Sequence, residues 1–164
     1  MSVQIKYSKK EILDLLSVIP DPEIPVITIS ELGILRDVII NENEVEVIIT
    51  PTYSGCPAMK QIENDIVSKL KEYGVENVKM KMVYHPAWTT DWLTNEAKDK
   101  LKKYGIAPPE KSTSDIGVLL GKKKICPHCG SENTEMVSQF GSTACKALYK
   151  CLDCKEPFDY FKCH

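Results

Sequence analysis

Apolar positions along this 164-residue chain fall into two rhythms, one of three to four residues and one of two, and their order predicts most of the elements. Ser8-Lys9-Lys10-Glu11 has the form of a capping box, and Ile12, Leu15, Leu16 and Ile19 follow at helical spacing, which predicts a helix over 9–19. Pro20 and Pro22 end it, and Asp21-Pro22-Glu23-Ile24-Pro25 reads as a stiff loop, because its prolines remove donors and hold the backbone extended. Ile34–Ile40 and Glu44–Thr50, joined by a polar turn, predict a β-hairpin. Met59, Ile62, Ile66, Leu70 and Tyr73 then mark a helix closed by Gly74. Val78, Met80, Met82 and Tyr84 mark a third strand, and Leu93, Ala97, Leu101 and Tyr104 a last helix closed by Gly105.

The order helix-strand-strand-helix-strand-helix predicts an α+β domain over residues 1–107. Periodicity is lost after it. Residues 108–124 read as a linker, with a short edge strand expected at Ile116–Leu120, and the basic run Lys122-Lys123-Lys124 as its solvated end. Two tryptophans, Trp88 and Trp92, follow His85-Pro86; burial over the sheet is the expected role for them, and an exposed docking surface the alternative.

Cysteine changes the picture of the tail. Six of the seven cysteines lie between Cys126 and His164, and four of them form two C-x-x-C pairs, Cys126/Cys129 and Cys151/Cys154. Two intervening residues let a tight turn aim both thiolates at one ion, and two such turns complete a tetrahedron whose binding energy folds a segment too small to fold alone. Residues 125–164 are therefore expected to be a four-cysteine zinc ribbon. Gly130 follows the first pair, whereas Lys155 follows the second, which leaves that turn less defined. Cys145, Cys163, His128 and His164 are spare donors, and Cys145 can equally be a small residue packed in a turn.

Cys56, in Thr50-Pro51-Thr52-Tyr53-Ser54-Gly55-Cys56-Pro57, stands where a strand passes into a helix. The helix dipole and free amides there favour a thiolate, hence a nucleophile or soft-metal ligand; a small buried cysteine is the equal alternative.

Composition narrows the functions. The net charge is −2, with 7 basic against 5 acidic residues from Lys122 onward, a surplus that four thiolates and a divalent ion cancel, so nucleic acid is not expected as a partner. There is no apolar run of membrane-spanning length and no signal-peptide pattern at Met1-Ser2-Val3-Gln4-Ile5-Lys6, so a cytoplasmic location without membrane is expected. Phosphate-binding glycine loops and nucleophile elbows are absent, so a non-catalytic protein is expected.

Asp21-Pro22-Glu23-Ile24-Pro25, Leu32-Gly33-Ile34, Thr50-Pro51 and Gly55-Cys56-Pro57 together resemble the SufT-type metal-sulfur cluster assembly factors. Pro86-Ala87-Trp88-Thr89-Thr90-Asp91-Trp92, Gly105-Ile106-Ala107-Pro108-Pro109 and Phe140-Gly141-Ser142-Thr143-Ala144-Cys145-Lys146-Ala147-Leu148 resemble the PaaD family, small proteins encoded with the bacterial phenylacetyl-CoA epoxidase of phenylacetate degradation. The resemblance implies an accessory factor that helps a multicomponent oxygenase acquire or keep its iron or iron-sulfur centre. It implies structural zinc in the ribbon and a transient iron or iron-sulfur cargo. Cys56 becomes the leading transfer ligand, Asp21 and Glu23 its neighbours, and Cys145 and Cys163 further candidates. The implied partners are an oxygenase or reductase client and other iron-sulfur assembly proteins, with a homo-oligomer as a further option. The alternatives are a rubredoxin-like electron carrier, with iron in the ribbon, and a structural component of the oxygenase.

Overall fold

The capping box forms as expected: in the computed structural model, which describes residues 7–42, 44–109 and 123–161, the Ser8 hydroxyl accepts from the Glu11 amide and the Glu11 carboxylate from the Ser8 amide. Helix α1 (Lys9–Leu16) follows, then strands β1 (Leu35–Asn41) and β2 (Glu44–Ile49), helix α2 (Ala58–Glu72) and strand β3 (Val78–Met82). These form the first of two compact units, Met1–Trp88. Its sheet has the order β1-β2-β3, antiparallel between β1 and β2 and parallel between β2 and β3. A parallel pair needs a crossover, and α2 supplies it. Val38, Val45, Val47 and Ile49 on the sheet, Ile12 and Leu16 on α1, and Ile62, Ile66 and Leu70 on α2 are fully buried. Each such side chain contributes about 1.5–3 kcal/mol of hydrophobic stabilisation.

The parallel pairing fixes where the candidate residues gather. The carboxyl ends of β2 and β3 lie side by side, since the Val83 amide donates to the Ile49 carbonyl, and the Thr50 amide donates to Ile34 at the entry to β1. The Cys56 loop leaves from β2 at this end. From β3 the chain runs past the exposed Tyr84 and His85 to Trp88, which is buried and donates its Nε1–H to the Leu32 carbonyl at 2.8 Å. Burial over the fold, the expected role for the tryptophans, thus holds for Trp88; Trp92 is half-buried.

The second unit is Thr89–His164. A 3₁₀ turn at Thr90–Trp92 and helix α3 (Asn95–Tyr104) precede β4 (Ile106–Ala107), β5 (Thr134–Ser138), β6 (Lys146–Cys151) and β7 (Pro157–Phe161), with sheet order β4-β7-β6-β5. Helix α3 and β4, expected to close the first domain, therefore group with the cysteine-rich strands; β4 has its ladder partner in β7, a pairing between residues more than fifty apart that local periodicity does not reveal. The last helix, whose predicted apolar stripe begins at Leu93, starts only after it: Leu93 has an extended ψ of 135° and separates the 3₁₀ turn from the Thr94 cap of α3. The strand expected at Ile116–Leu120 lies outside the described residues, as does most of the 108–124 linker.

Lys124 departs from expectation. It is 2% exposed rather than solvated, with its ammonium 4.4 Å from the centroid of the Tyr160 ring, and its backbone carbonyl accepts from the buried Thr134 hydroxyl. The aromatic face takes the charge that water would otherwise hold.

Candidate metal centre

Cys126, Cys129, Cys151 and Cys154 converge, their sulfurs all within 4.8 Å of one another. Cys126 and Cys154 stand 3.8 Å apart and Cys129 and Cys151 3.6 Å apart. Four sulfurs at a tetrahedral zinc bond length are about 3.8 Å from each other, so the set has the dimensions of a structural metal site. Its donor chemistry, four thiols on two turns, fits a metal such as zinc.

The two turns are built alike. The Cys126 amide donates to the Ser131 carbonyl at 2.9 Å, and the Cys151 amide to the Glu156 carbonyl at 3.0 Å, the same five-residue step. The residue after each pair is left-handed, Gly130 at φ 77° and Lys155 at φ 68°. The missing glycine in the second turn therefore changes the residue and not the geometry; Lys155 also donates its ammonium to the Leu152 carbonyl. A third group ties the turns together: Asp153, inside the second pair, accepts from the Ser131 hydroxyl and from Asn133 Nδ2, the latter at 2.9 Å. These bonds hold the Asp153 carboxyl below its ordinary value. Ser131 and Asn133 could have been suspected from lying just past the first pair with small polar side chains.

The thiols do not titrate alike. Cys151 is held down to about 7, chiefly by the Cys154 amide and then by the Asp153 amide and the neighbouring thiols. Cys154 receives the Glu156 amide, yet burial and its bonds to Cys151, Cys129 and Cys126 push it up to about 12. A divalent ion replaces the remaining protons, so loading releases protons.

Cys145 is buried but stands apart from this group, with the Thr143 hydroxyl 3.0 Å from its sulfur. It directly precedes β6, whose far end is Cys151, and six strand residues span roughly 20 Å. Cys145 is thus no substitute for a knuckle ligand. Cys163 lies outside the described residues.

In the first unit, Cys56 is buried two residues before α2. The expected helix-terminal amide is present, since Ala58 hydrogen-bonds the sulfur, as do the side chains of Tyr53 and Thr52, which sequence reasoning did not single out. The thiol is nevertheless raised, by burial first and by the charge of Glu23 as well, so the expected stabilised thiolate is not the resting form. Glu23 is therefore near enough to Cys56 to act on its charge. Asp21 has a different place: its Oδ1 accepts the amides of Glu23 at 2.9 Å and Ile24 at 2.7 Å, while its own amide donates to the Ile27 carbonyl, closing the loop that carries Glu23.

Comparison with known proteins now bears on both units. Residues 116–162 match the PaaD zinc beta ribbon domain, and residues 9–82 match the iron-sulfur cluster assembly protein family. The chain is 48% identical over 153 residues to an Escherichia coli protein named as a component of 1,2-phenylacetyl-CoA epoxidase, covering 93% of this chain and 92% of that one. The chain belongs to the PaaD family. This PaaD chain is also 31% identical over 99 residues to an Fe-S protein maturation auxiliary factor from Porphyromonas gingivalis, covering 59% of this chain and 93% of the relative. A DUF59 domain structure from Bacillus anthracis is 28% identical with a TM-score of 0.53, covering 57% of this chain and 90% of that chain. A conserved hypothetical protein from Thermotoga maritima is 28% identical with a TM-score of 0.50, covering 62% and 98%. The α+β fold of the PaaD chain with its cysteine ribbon is thereby shown, and among the described residues no helix is long and apolar enough to cross a membrane.

Proposed function

We propose that this chain is a non-catalytic accessory factor that supplies or maintains the iron or iron-sulfur centre of a multicomponent oxygenase of the phenylacetyl-CoA epoxidase type. Zinc in the ribbon is structural, and Cys56 is the transfer ligand. The observation that carries the reading is the place of Cys56, a buried sulfur just before α2 that takes the Ala58 amide and feels the charge of Glu23. A negative neighbour beside a buried sulfur disfavours the bare thiolate but favours a thiolate neutralised by a cation. Such a site rests protonated and exchanges its proton for iron when the ion arrives. The names of the relatives support the cargo and the client: Fe-S maturation for one, a component of an epoxidase for the other. The partners are an oxygenase or reductase client and the assembly proteins that feed it.

Cys56→Ser tests this. The variant should fold and hold its zinc, while the client co-produced with it is short of iron by elemental analysis; a client with full iron content refutes the role of Cys56. The relative's name also favours a second reading, a structural component of the oxygenase, for which stable stoichiometric co-purification with the catalytic subunits is the expected result.

A further inference from the structure

The ribbon domain matched by family begins at residue 116, yet the contacts made by the cysteine site reach further upstream. Ala107 is 3% exposed and belongs to the same buried cluster as the ligands Cys126 and Cys151, together with Ala147, Tyr149, Phe158 and Tyr160. It sits on β4, whose two residues pair in parallel with Asp159 and Tyr160 of β7. Immediately before β4, Gly105 caps α3 in the left-handed region at φ 90°, and a Cβ added to it would lie 3.1 Å from Cε1 of His128. His128 is one of the two residues enclosed by the first C-x-x-C pair. The first metal turn therefore rests directly against the C-terminus of α3.

We infer that α3 and β4 belong to the metal-dependent folding unit, so that occupancy of the cysteine site is converted into order or disorder of residues 95–107. This rests on the metal reading of the four cysteines. A ten-residue helix is shorter than the roughly 12–15 residues an isolated helix needs to hold in water, and a two-residue strand has no stability of its own. Both depend on the sheet they dock to. A four-cysteine ribbon in turn folds on its metal. What the metal stabilises must, by linkage, stabilise the metal, so weakening the docking of α3 weakens metal binding. The device is an order-disorder switch placed in the chain directly after Trp88.

Hydrogen exchange on the full chain, with zinc as the probe metal and an excess of chelator to remove it, tests the coupling. Removal should deprotect residues 95–107 together with 146–151 and leave α2 protected. Protection retained at 95–107 after the zinc is gone overturns the inference, as does simultaneous loss at α2, which would make the metal a staple of the whole chain. A chain that takes up no zinc overturns the metal reading and this inference with it. Gly105→Ala should weaken zinc binding about three- to tenfold in competition with a chromophoric chelator. Gly74→Ala, left-handed at φ 100° but in the first unit, is the control and should leave zinc affinity unchanged. Parental affinity in Gly105→Ala, or an equal loss in Gly74→Ala, refutes the coupling.

Discussion

Gly130→Ala isolates what the metal turns require of their backbone. At φ 77°, a Cβ added to Gly130 meets nothing within 4 Å, so the substitution introduces no clash and its cost is conformational alone. Holding a residue with a Cβ in the left-handed region costs about 1–2 kcal/mol. Alanine recovers about 0.4–1 kcal/mol by restricting the unfolded chain. The difference is close to 1 kcal/mol against the folded ribbon, and because folding and metal binding are one equilibrium, zinc affinity should fall about fivefold. Lys155→Gly is the mirror experiment at φ 68°. Glycine removes the left-handed strain, but it loosens the unfolded chain by about the same 0.4–1 kcal/mol and deletes the exposed ammonium bond to Leu152, a contact of about 0.5 kcal/mol. Its affinity should stay within about twofold of the parent. Competition with a chromophoric chelator at fixed pH reads both. An unchanged Gly130→Ala, or a tenfold loss in Lys155→Gly, would refute the claim that the two turns are one geometry held by different residues.

Three further perturbations address the first unit. Glu23→Gln removes a charge that raises the Cys56 thiol, so the thiolate fraction at pH 8 grows and alkylation by iodoacetamide should accelerate about two- to fivefold; a slower reaction contradicts the proximity of the two groups. The sign for stability follows from the same shift: the unfolded thiol ionises first, near its ordinary 9.0, so stability declines as pH climbs past that value, and less so in Glu23→Gln. Asp21→Ala strips the loop amides of Glu23 and Ile24 of their acceptor and should lower urea stability by about 1–2 kcal/mol, whereas Asp21→Asn, which keeps an oxygen there, should recover most of it; equal losses would show that the charge and not the acceptor matters. Trp88→Phe leaves the Leu32 carbonyl without its indole donor in a buried place and should lower stability by about 1–3 kcal/mol with zinc content unchanged; a wild-type denaturation midpoint would mean that water replaces the bond.

Legibility in the sequence followed the range of the interactions. The capping box, the α2 stripe of Met59, Ile62, Ile66 and Leu70, and the β1–β2 hairpin are specified by residues close in sequence, and each stands within a residue or three of where periodicity placed it. The four-cysteine cluster was legible for the same reason, since a C-x-x-C turn is local chemistry. What was not legible depends on distant partners. Neither the parallel pairing of β4 with β7 nor the seat of Lys124 over Tyr160 leaves a trace in periodicity, and both draw residues near 106 and 124 into the tail. The thiol of Cys56 went the other way because a helix terminus is a local feature and burial is not: the amide arrived as foreseen, and desolvation outweighed it. Lys155 shows the converse limit, where a lysine adopts a glycine's conformation inside the turn closed by the Cys151 amide on the Glu156 carbonyl.

The four knuckle sulfurs are unequal in their access to water: Cys126 and Cys151 are buried, Cys154 is half-buried and Cys129 is exposed. A metal held by this set would therefore be approached from one side, since a chelator in solution meets Cys129 first and the two buried sulfurs last. The same asymmetry orders oxidative damage. Cys129 is the sulfur an oxidant reaches, and the buried Cys151 of the other knuckle stands 3.6 Å from it.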